Sequence, residues 1–297
     1  MENPRQSTRS ALALARQALQ VASAALPAYS SRFSKKDFTQ WQLFALLCLK
    51  QFLKQDYRGL VALLADWSDL RQVLKLKKVP DHSTLCYANK RLGKSQHFKQ
   101  LQAEVFAQAK RLGLVDERPE IAVDATGLES RHCSRYFVWR RGKRHRWEHW
   151  PKLTLATHTQ SHLVAGALLT IGPSQDSPQF GPVTRQAARH LGSIDRLLAD
   201  SGYDAEHNHT LARQRLGIRS TVIALNRRGH GRRWPKTRYR RQMRRRFHCR
   251  RYGQRWQSES VNSRIKRRLG SSLSGRTHAS RKREALFKVF THDLMIL

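Results

Sequence analysis

Residues 252–266 read YGQRWQSESVNSRIK and carry one carboxylate, Glu259, in strongly basic surroundings. Glu259 is the only acidic residue between Glu206 and Glu284. A carboxylate in such a field is well placed to hold a cation that accompanies a polyanion, most plausibly a divalent metal ion. The stretch is therefore the first candidate for a functional site.

The spacing of the polar residues in this stretch indicates a helix with one chemically active face. Positions i, i+3, i+7 and i+14 of an α-helix fall within an arc of about 60°. Those positions are occupied by Tyr252, Arg255, Glu259 and Lys266. Val261 and Ile265 lie on roughly the opposite face, where we expect them to dock the helix on a hydrophobic core. The pattern predicts a helix that presents a carboxylate, two cations and a phenol side by side, as phosphodiester cleavage would require.

The composition indicates a polyanionic partner. The chain has 297 residues, with 57 Lys and Arg against 21 Asp and Glu, a formal net charge of +36 and a pI near 11.4. Nucleic acid is the natural partner for such a charge, and an anionic membrane surface is the alternative. No apolar run approaches the roughly 20 residues of a transmembrane helix, and the N-terminus lacks a signal-peptide pattern. We therefore expect a cytoplasmic protein that associates with the nucleoid and not with a membrane.

Residues 1–115 predict a helical region, which we expect to bind DNA ends. Asp81 follows Pro80 and is a candidate N-cap for a helix over Ser83–Leu92, and a second helix is predicted over 96–112. Two short helices around such a break form either a DNA-binding helix-turn-helix or part of an ordinary bundle. For any one pair of helices, the pattern slightly favours the bundle.

The pattern changes after Pro119 to an alternation of strands and helices. Ile121–Val123 is a short apolar run that indicates a buried strand ending in Asp124. Further strands are predicted at 152–159, 162–171, 194–199 and 219–225, and helices at 182–190, 205–216 and 252–266. This order is that of a ribonuclease-H-like α/β domain, a mixed sheet with helices on both faces. We assign residues 116–297 to that domain.

Two aspartates lie at the ends of predicted strands in this domain. Asp124 ends the first strand, and Asp200 follows the fourth. Because open α/β sheets place their sites beside the carboxyl ends of strands, we expect these two carboxylates to meet Glu259 in space. Asp195 and Asp204 are alternatives to Asp200, but Asp195 opens the strand and Asp204 is a candidate N-cap for the next helix.

Residues 227–251 form a basic segment that contains no acidic residue. Such a segment predicts a surface that contacts phosphates and is partly disordered without DNA. Its candidate DNA-binding residues are Arg244, Arg245 and Arg246. Arg255 and Lys266 have an alternative interpretation, because most charged residues on a helix simply face solvent.

The motif Y-x2-R-x3-E-x6-K occurs at Tyr252–Lys266 without a gap, and it resembles the Y-R-E-K signature of bacterial insertion-sequence DDE transposases. The sequences VDATGL around Asp124 and LADSGYD around Asp200 also resemble that family. PDHSTL at 80–85 resembles a segment common in its N-terminal region, so the resemblance covers roughly residues 30–297. The four-residue signature together with both aspartates is specific, whereas each part alone is weak.

The resemblance implies a DDE recombinase that acts on double-stranded DNA, namely the terminal inverted repeats of its own element and a target. Asp124, Asp200 and Glu259 would then be the catalytic residues and would hold two Mg²⁺ ions about 3.5–4 Å apart, with Mn²⁺ able to substitute. Hydrolysis at the element end would release a 3′ hydroxyl, which would attack target DNA in a direct transesterification. Arg255 and Lys266 would clamp phosphates near the scissile bond.

The resemblance also implies roles for two aromatic residues and an oligomeric state. Tyr252 would donate a hydrogen bond to a phosphate next to the cleavage point. Trp256 lies close to the same face and would stack on an unpaired base. A homodimer across two paired DNA ends is expected from the family.

Two other functions fit the same residues. A related ribonuclease-H-like nuclease would cut DNA without integrating it, and a regulator derived from a transposase would bind DNA without chemistry. A binding protein has no need for three carboxylates within a basic surface, so the intact triad argues against the regulator. The sequence alone does not separate the transposase from the nuclease.

Overall fold

The computed structural model describes residues 7–130, 150–226 and 234–297. The chain divides into two compact units. The first runs to Gly113 and also contains Ile265–Leu297, and the second is Leu114–Arg264. Within the described residues, we find no helix with the length and apolar character needed to cross a membrane.

The elements are numbered along the chain over the described residues. The α-helices are α1 (Ala11–Ala25), α2 (Gln40–Phe52), α3 (Tyr57–Asp66), α4 (Ser68–Val73), α5 (His82–Leu92), α6 (Ser95–Arg111), α7 (Ser177–Leu191), α8 (Glu206–Thr210), α9 (Arg238–Arg245), α10 (Cys249–Tyr252), α11 (Trp256–Leu269) and α12 (His278–Leu294). The strands are β1 (Glu120–Gly127), β2 (Glu129–Ser130), β3 (Trp150–His158), β4 (Val164–Gly172), β5 (Arg196–Ala199), β6 (Ser220–Ile223) and β7 (Ser272–Leu273).

The first unit is a bundle of helices with an aromatic core. Phe44 of α2 meets Phe290 of α12 edge-on at a centroid distance of 5.9 Å, and Phe98 of α6 stacks on the same ring at 5.1 Å. Phe287 of α12 also contacts both partners. These contacts explain why residues 265–297 pack with this unit, although the sequence placed them in the domain 116–297.

The predicted helices around Pro80 are present in this bundle. Asp81 caps α5, because its carboxylate accepts a hydrogen bond from the Ser83 amide at 2.8 Å. Leu85 and Leu92 of α5 and Leu101 of α6 are fully buried, as expected of bundle helices. That this region binds DNA ends stays a prediction.

The second unit contains the five-stranded mixed sheet. Its strand order is β4-β3-β1-β5-β6. The pairs β1–β3 and β3–β4 are antiparallel, whereas β1–β5 and β5–β6 are parallel. The central strands are apolar and buried, and α7 packs against β3 and β4. The sheet order and the flanking helices confirm the predicted ribonuclease-H-like α/β fold.

Three helical boundaries differ from the predictions. The helix predicted at 182–190 begins at Ser177, because Pro178 occupies the first turn and Pro182 is accommodated inside the helix. The helix predicted at 205–216 is α8 followed by a π-helical segment, Leu211–Arg215. The helix predicted at 252–266 is three consecutive segments: α10, a 3₁₀ turn over Gly253–Arg255, and α11. The prediction of one continuous α-helix is therefore wrong at its N-terminal end, although Val261 and Ile265 are buried as predicted.

Candidate active site

Asp124 and Asp200 lie side by side because the parallel pairing of β1 and β5 ends just before both residues. The parallel register of β1 and β5 ends with the pair Val123 and Ala199. Asp124, inside β1, and Asp200, the first residue after β5, follow this pair, so hydrophobic pairing of the strands fixes the neighbouring position of the carboxylates. Both line one cleft of about 210 Å³. The structure brings these two aspartates to one cleft as predicted, but the predicted end of the first strand at Asp124 is wrong, because β1 continues to Gly127.

Asp124 is held by two side chains from the helical stretch. Asn262 of α11 donates a hydrogen bond to Asp124 Oδ2 at 3.0 Å, and the Arg255 guanidinium lies 3.7 Å from Asp124 Oδ1. Burial raises the pKa of Asp124 to about 6; nearby Arg255 lowers it, and Asp200 and Glu259 raise it. With a pKa of about 6 this carboxyl group is mostly charged at neutral pH, and a further cation beside it would lower the pKa.

Asp200 caps a short turn and lies close to a further carboxylate, that of Asp176. Its Oδ1 accepts a hydrogen bond from the Gly202 amide at 2.5 Å, at the start of the 3₁₀ turn over Ser201–Tyr203. A Cβ atom on Gly202 would lie 2.9 Å from Asp200 Oδ1 and also 2.9 Å from Asp176 Oδ2. Asp176, just before α7, is thus close to Asp200. Sequence reasoning missed Asp176, since it lies in a loop without hydrophobic periodicity.

Glu259 is connected to Asp124 through Arg255. Glu259 lies in the first turn of α11, its side chain is 55% exposed, and its Oε1 accepts a hydrogen bond from Arg255 at 2.6 Å. One guanidinium therefore contacts both carboxylates. Asn262, which sequence reasoning also missed, lies three residues after Glu259 on the same helix face, and that spacing is a signal that could have identified it.

Tyr252 is a packing residue as well as a member of the signature. Its ring packs, with Phe247, against a core cluster from β1, β5 and β6, and the Arg255 guanidinium lies 5.8 Å from the ring centroid. Burial raises the pKa of the Tyr252 phenol, and the cation of Arg255 lowers it. Tyr252 thereby orients Arg255 from one side while Glu259 holds it from the other.

The remaining predicted DNA-binding residues occupy different positions on the helical stretch. Lys266 is half-buried on α11, two turns beyond Glu259, and Trp256 is the half-exposed first residue of that helix. Arg244, Arg245 and Arg246 are exposed, and the guanidinium groups of the first two lie 5.7 and 5.9 Å from the ring of Trp234. None of these residues is among those that line the cleft.

The basic segment is built into the second unit, at least over the described residues 234–251. Tyr239 and Met243 of α9 are buried, and Glu206 accepts hydrogen bonds from the amides of Tyr239 and Arg240. Residues 238–245 form helix α9, which has an apolar face of its own, and the expected partial disorder of the segment stays a prediction. Residues 227–233 of the segment lie outside the described residues.

The assignment of Asp204 as a helix N-cap is also wrong. Ala205 precedes α8, while the buried carboxylate of Asp204 accepts two hydrogen bonds from Arg240, each of 2.9 Å. Asp195, the other alternative to Asp200, pairs with Arg219 and Arg196. Both aspartates are thus engaged in ion pairs.

The donor chemistry of the cleft suits a hard divalent cation. Carboxylate oxygens are the preferred ligands of Mg²⁺, and Asp124 and Asp200 supply them at one cleft. In the part of the chain that the structure describes, no three side chains of His, Cys, Asp or Glu lie close enough together to hold a metal ion. Glu259 is instead occupied by Arg255, which also serves Asp124 as a cationic partner.

Residues 116–294 match the family model described as the transposase DDE domain. The chain belongs to this family. The match confirms the resemblance to DDE transposases, while the insertion-sequence branch with the Y-R-E-K signature stays a prediction.

Among solved structures, the chain is similar to a piggyBac transposase, determined by cryo-EM in a synaptic complex with hairpin DNA. The similarity covers 95% of this chain and 70% of the other, with 7% identity and a TM-score of 0.46. No curated protein sequence matches the chain. The DDE domain match therefore carries the family assignment.

Proposed function

We propose that the chain is a transposase that binds the terminal inverted repeats of its own element and catalyses metal-dependent strand cleavage and strand transfer. The observation that supports this best is the juxtaposition of Asp124 and Asp200 at one cleft, where the parallel pairing of β1 and β5 ends. The contact of Arg255 with both Asp124 and Glu259 adds the third carboxylate of the family signature.

In this proposal Asp124, Asp200 and Glu259 hold Mg²⁺, and Mn²⁺ can substitute. The bound ions would supply Lewis acidity to the reacting oxygens of the phosphodiester. Asn262 fixes the orientation of Asp124 by donating to one of its oxygens. Arg255 holds Glu259 and Asp124 in the free protein, and it would be free to bind a DNA phosphate if these carboxylates held metal ions.

The exposed cations supply DNA binding in the same proposal. Arg244 and Arg245 lie beside the half-exposed ring of Trp234, and Arg246 follows them. Such arginines contact phosphates without reading sequence. Lys266, Tyr252 and Trp256 add contacts near the scissile bond. Because two element ends must be joined, we propose a homodimer on paired ends, acting on the nucleoid in the cytoplasm.

Substitution of the three carboxylates tests the proposed reaction. Asp124→Asn, Asp200→Asn and Glu259→Gln should each abolish cleavage and strand transfer. The substrate is DNA that carries the terminal inverted repeats flanking the gene, and binding to it should be retained. Glu259 is more than half exposed, so its ion pair with Arg255 should contribute only about 0–1 kcal/mol to folding. The melting temperature of Glu259→Gln should therefore stay close to that of the parent.

Asp195→Asn is the matched control, since this aspartate is paired with two arginines and does not line the cleft. It should cut like the parent. With Ca²⁺ in place of Mg²⁺ we expect binding without turnover, because Ca²⁺ coordination is longer and less rigid. Normal cutting by Asp124→Asn and Glu259→Gln would disprove the assignment, and cleavage without strand transfer by the parent would indicate the nuclease instead.

A further inference from the structure

The cleft of Asp124 and Asp200 has a second wall, formed by Lys152 of β3 and Asp176. Lys152 Nζ lies 2.5 Å from Asp176 Oδ1 and donates a hydrogen bond to the carbonyl oxygen of Ser174 at 2.5 Å. The Lys152 side chain is only 12% exposed, and all these residues line the cleft. The ammonium group is therefore held at the cleft by oxygens on one side.

The cleft is strongly negative apart from this lysine. Asp124, Asp176 and Asp200 all line it, and Lys152 is the one cationic side chain among its described lining residues. Burial, followed by the charges of these three aspartates, raises the pKa of the buried Tyr203 hydroxyl, which also lines the cleft. Among the side chains that line the cleft, a phosphate that enters would meet three carboxylates and a single ammonium group, and Arg255 lies beside Asp124 without lining the cleft.

The geometry of the ammonium group leaves it able to bind a further oxygen. An ammonium group has three N–H donors; Lys152 donates one hydrogen bond, to Ser174, and forms an ion pair with Asp176 that lacks hydrogen-bond geometry, so at least the third N–H is available. Both contacts come from residues 174–176, the loop before α7. A compact ammonium of this kind is a common phosphate ligand in proteins.

We propose that Lys152 binds a phosphate of the DNA strand in this cleft and that Asp176 is its positioning residue. The inference rests on the proposed function, because it takes a DNA strand to be the occupant of the cleft. Asp176 would hold the ammonium group against the cleft wall in the free protein. The third N–H would then be directed to a non-bridging phosphate oxygen, at a site that sequence reasoning did not find.

Short oligothymidylate strands are the probe, because they carry phosphates without an element sequence. Lys152→Met should weaken their binding roughly tenfold, as expected for the loss of a charge-assisted hydrogen bond. The slope of log K against log salt should become shallower by about 0.7, the value for one phosphate contact on a single strand. Asp176→Asn keeps an oxygen acceptor for Lys152, so its affinity should equal or exceed that of the parent.

Arg219→Met is the matched control, since Arg219 also pairs with an aspartate, Asp195, but lies outside the cleft and outside the regions assigned to DNA binding. It should leave affinity and salt slope unchanged. Parent-like binding by Lys152→Met would overturn the proposal. A second outcome would also overturn the proposal: Lys152→Met and Asp176→Asn lose equal affinity in proportion to a lowered melting temperature, with an unchanged salt slope. The pair would then only stabilise the fold.

Different experimental results would contradict the proposed reaction and the proposed phosphate site. If Asp124→Asn and Glu259→Gln still cut DNA while Lys152→Met loses its phosphate contact, the proposed reaction fails and the phosphate site remains. If the carboxylate variants lose cutting while Lys152→Met binds like the parent, only the phosphate site fails. Cleavage, oligothymidylate affinity and melting temperature on the same preparations separate these outcomes.

Discussion

At the residue scale, two carboxylates share the space beside one glycine. Oxygens of Asp176 and Asp200 would each lie 2.9 Å from a Cβ atom on Gly202. Like charges this close repel each other, and each therefore has its own counter-group: the Lys152 ammonium for Asp176 and the Gly202 amide for Asp200. The arrangement depends on a residue without a side chain at the point where the two approach.

Gly202→Ala should therefore damage the site more than the fold. The new methyl group cannot fit at 2.9 Å from two oxygens, so Asp176 or Asp200 must move. We expect cleavage to fall by roughly tenfold or more, because small misplacements of reacting groups are costly to the rate, with a modest change in melting temperature. Gly253→Ala is the control, since nothing lies within 4 Å of its Cβ position and its φ is not positive. Equal cleavage by both variants would show that the reaction does not depend on the position of Asp176 or Asp200 beside Gly202.

At the element scale, helix α9 is joined to the α/β unit by buried polar contacts. Its first amide groups donate to Glu206, and Arg240 forms two hydrogen bonds with the fully buried carboxylate of Asp204. Gln214 donates a further hydrogen bond to the Tyr239 hydroxyl. The helix is thus a structural part of the domain that exposes arginines on its outer face.

Arg240→Met should destabilise the protein, whereas Arg244→Met should not. Removing one partner of a buried ion pair leaves Asp204 without its counter-charge and costs roughly 3 kcal/mol or more. Arg244 is exposed, so its loss should leave the free energy of unfolding almost unchanged and weaken DNA binding instead. Urea unfolding and DNA affinity of both variants check this. Equal stability of the two would mean that α9 does not depend on the Asp204 contact.

The sequence predicted the elements that hydrophobic pairing controls. The run Ile121–Val123 and the strand before Asp200 identified two neighbouring strands, because buried strands have a clear pattern and an acidic residue after them stands out. Asp176 and Lys152 were not predictable, since their meeting depends on the path of an irregular loop. The packing of α9 was predictable from one feature of the sequence, the apolar pair Tyr239 and Met243 at i, i+4 spacing, which indicates a buried helix face.

The contact between α8 and β6 contains a buried histidine, which should make stability depend on pH. His209 is fully buried, and one ring nitrogen lies 2.7 Å from Thr221 Oγ1. Burial lowers the pKa of His209 to about 4, below its ordinary value of 6.5. The neutral ring is therefore the folded form, and its contribution is present above pH ~6.5 and lost as the pH falls through ~4.

We expect the free energy of unfolding to fall by up to about 3 kcal/mol over that pH range because of this residue. His209→Gln should have a flatter pH profile, even though its stability at neutral pH is lower. His207→Gln, at an exposed position two residues earlier, should keep the profile of the parent. Denaturant unfolding at a series of pH values gives the comparison. A parent-like profile in His209→Gln would assign the acid sensitivity to other groups, such as His158, whose pKa is also lowered by burial.

At the scale of the whole molecule, positive charge should control DNA affinity. The net charge of +36 exceeds what solubility requires. Part of that charge is committed inside the fold, as for Arg240 with Asp204 and Arg255 with Asp124 and Glu259. The remaining exposed arginines are available to phosphates, so the number of contacts with DNA is smaller than the total of 57 Lys and Arg residues.

We therefore expect log K for duplex DNA to fall with log salt with a slope on the order of −5 or steeper, as several neutralised phosphates require. Changing Arg244, Arg245 and Arg246 together to Gln should flatten the slope by up to about 2.7, at about 0.9 per lost phosphate contact. The control changes three other exposed arginines, Arg185, Arg189 and Arg215, to Gln and alters the net charge equally. Affinity measured at several salt concentrations distinguishes position from total charge. If both triple variants flatten the slope equally, total charge attracts DNA and the surface around Trp234 has no special part in binding; if the parent slope is near −1, the charge serves another partner.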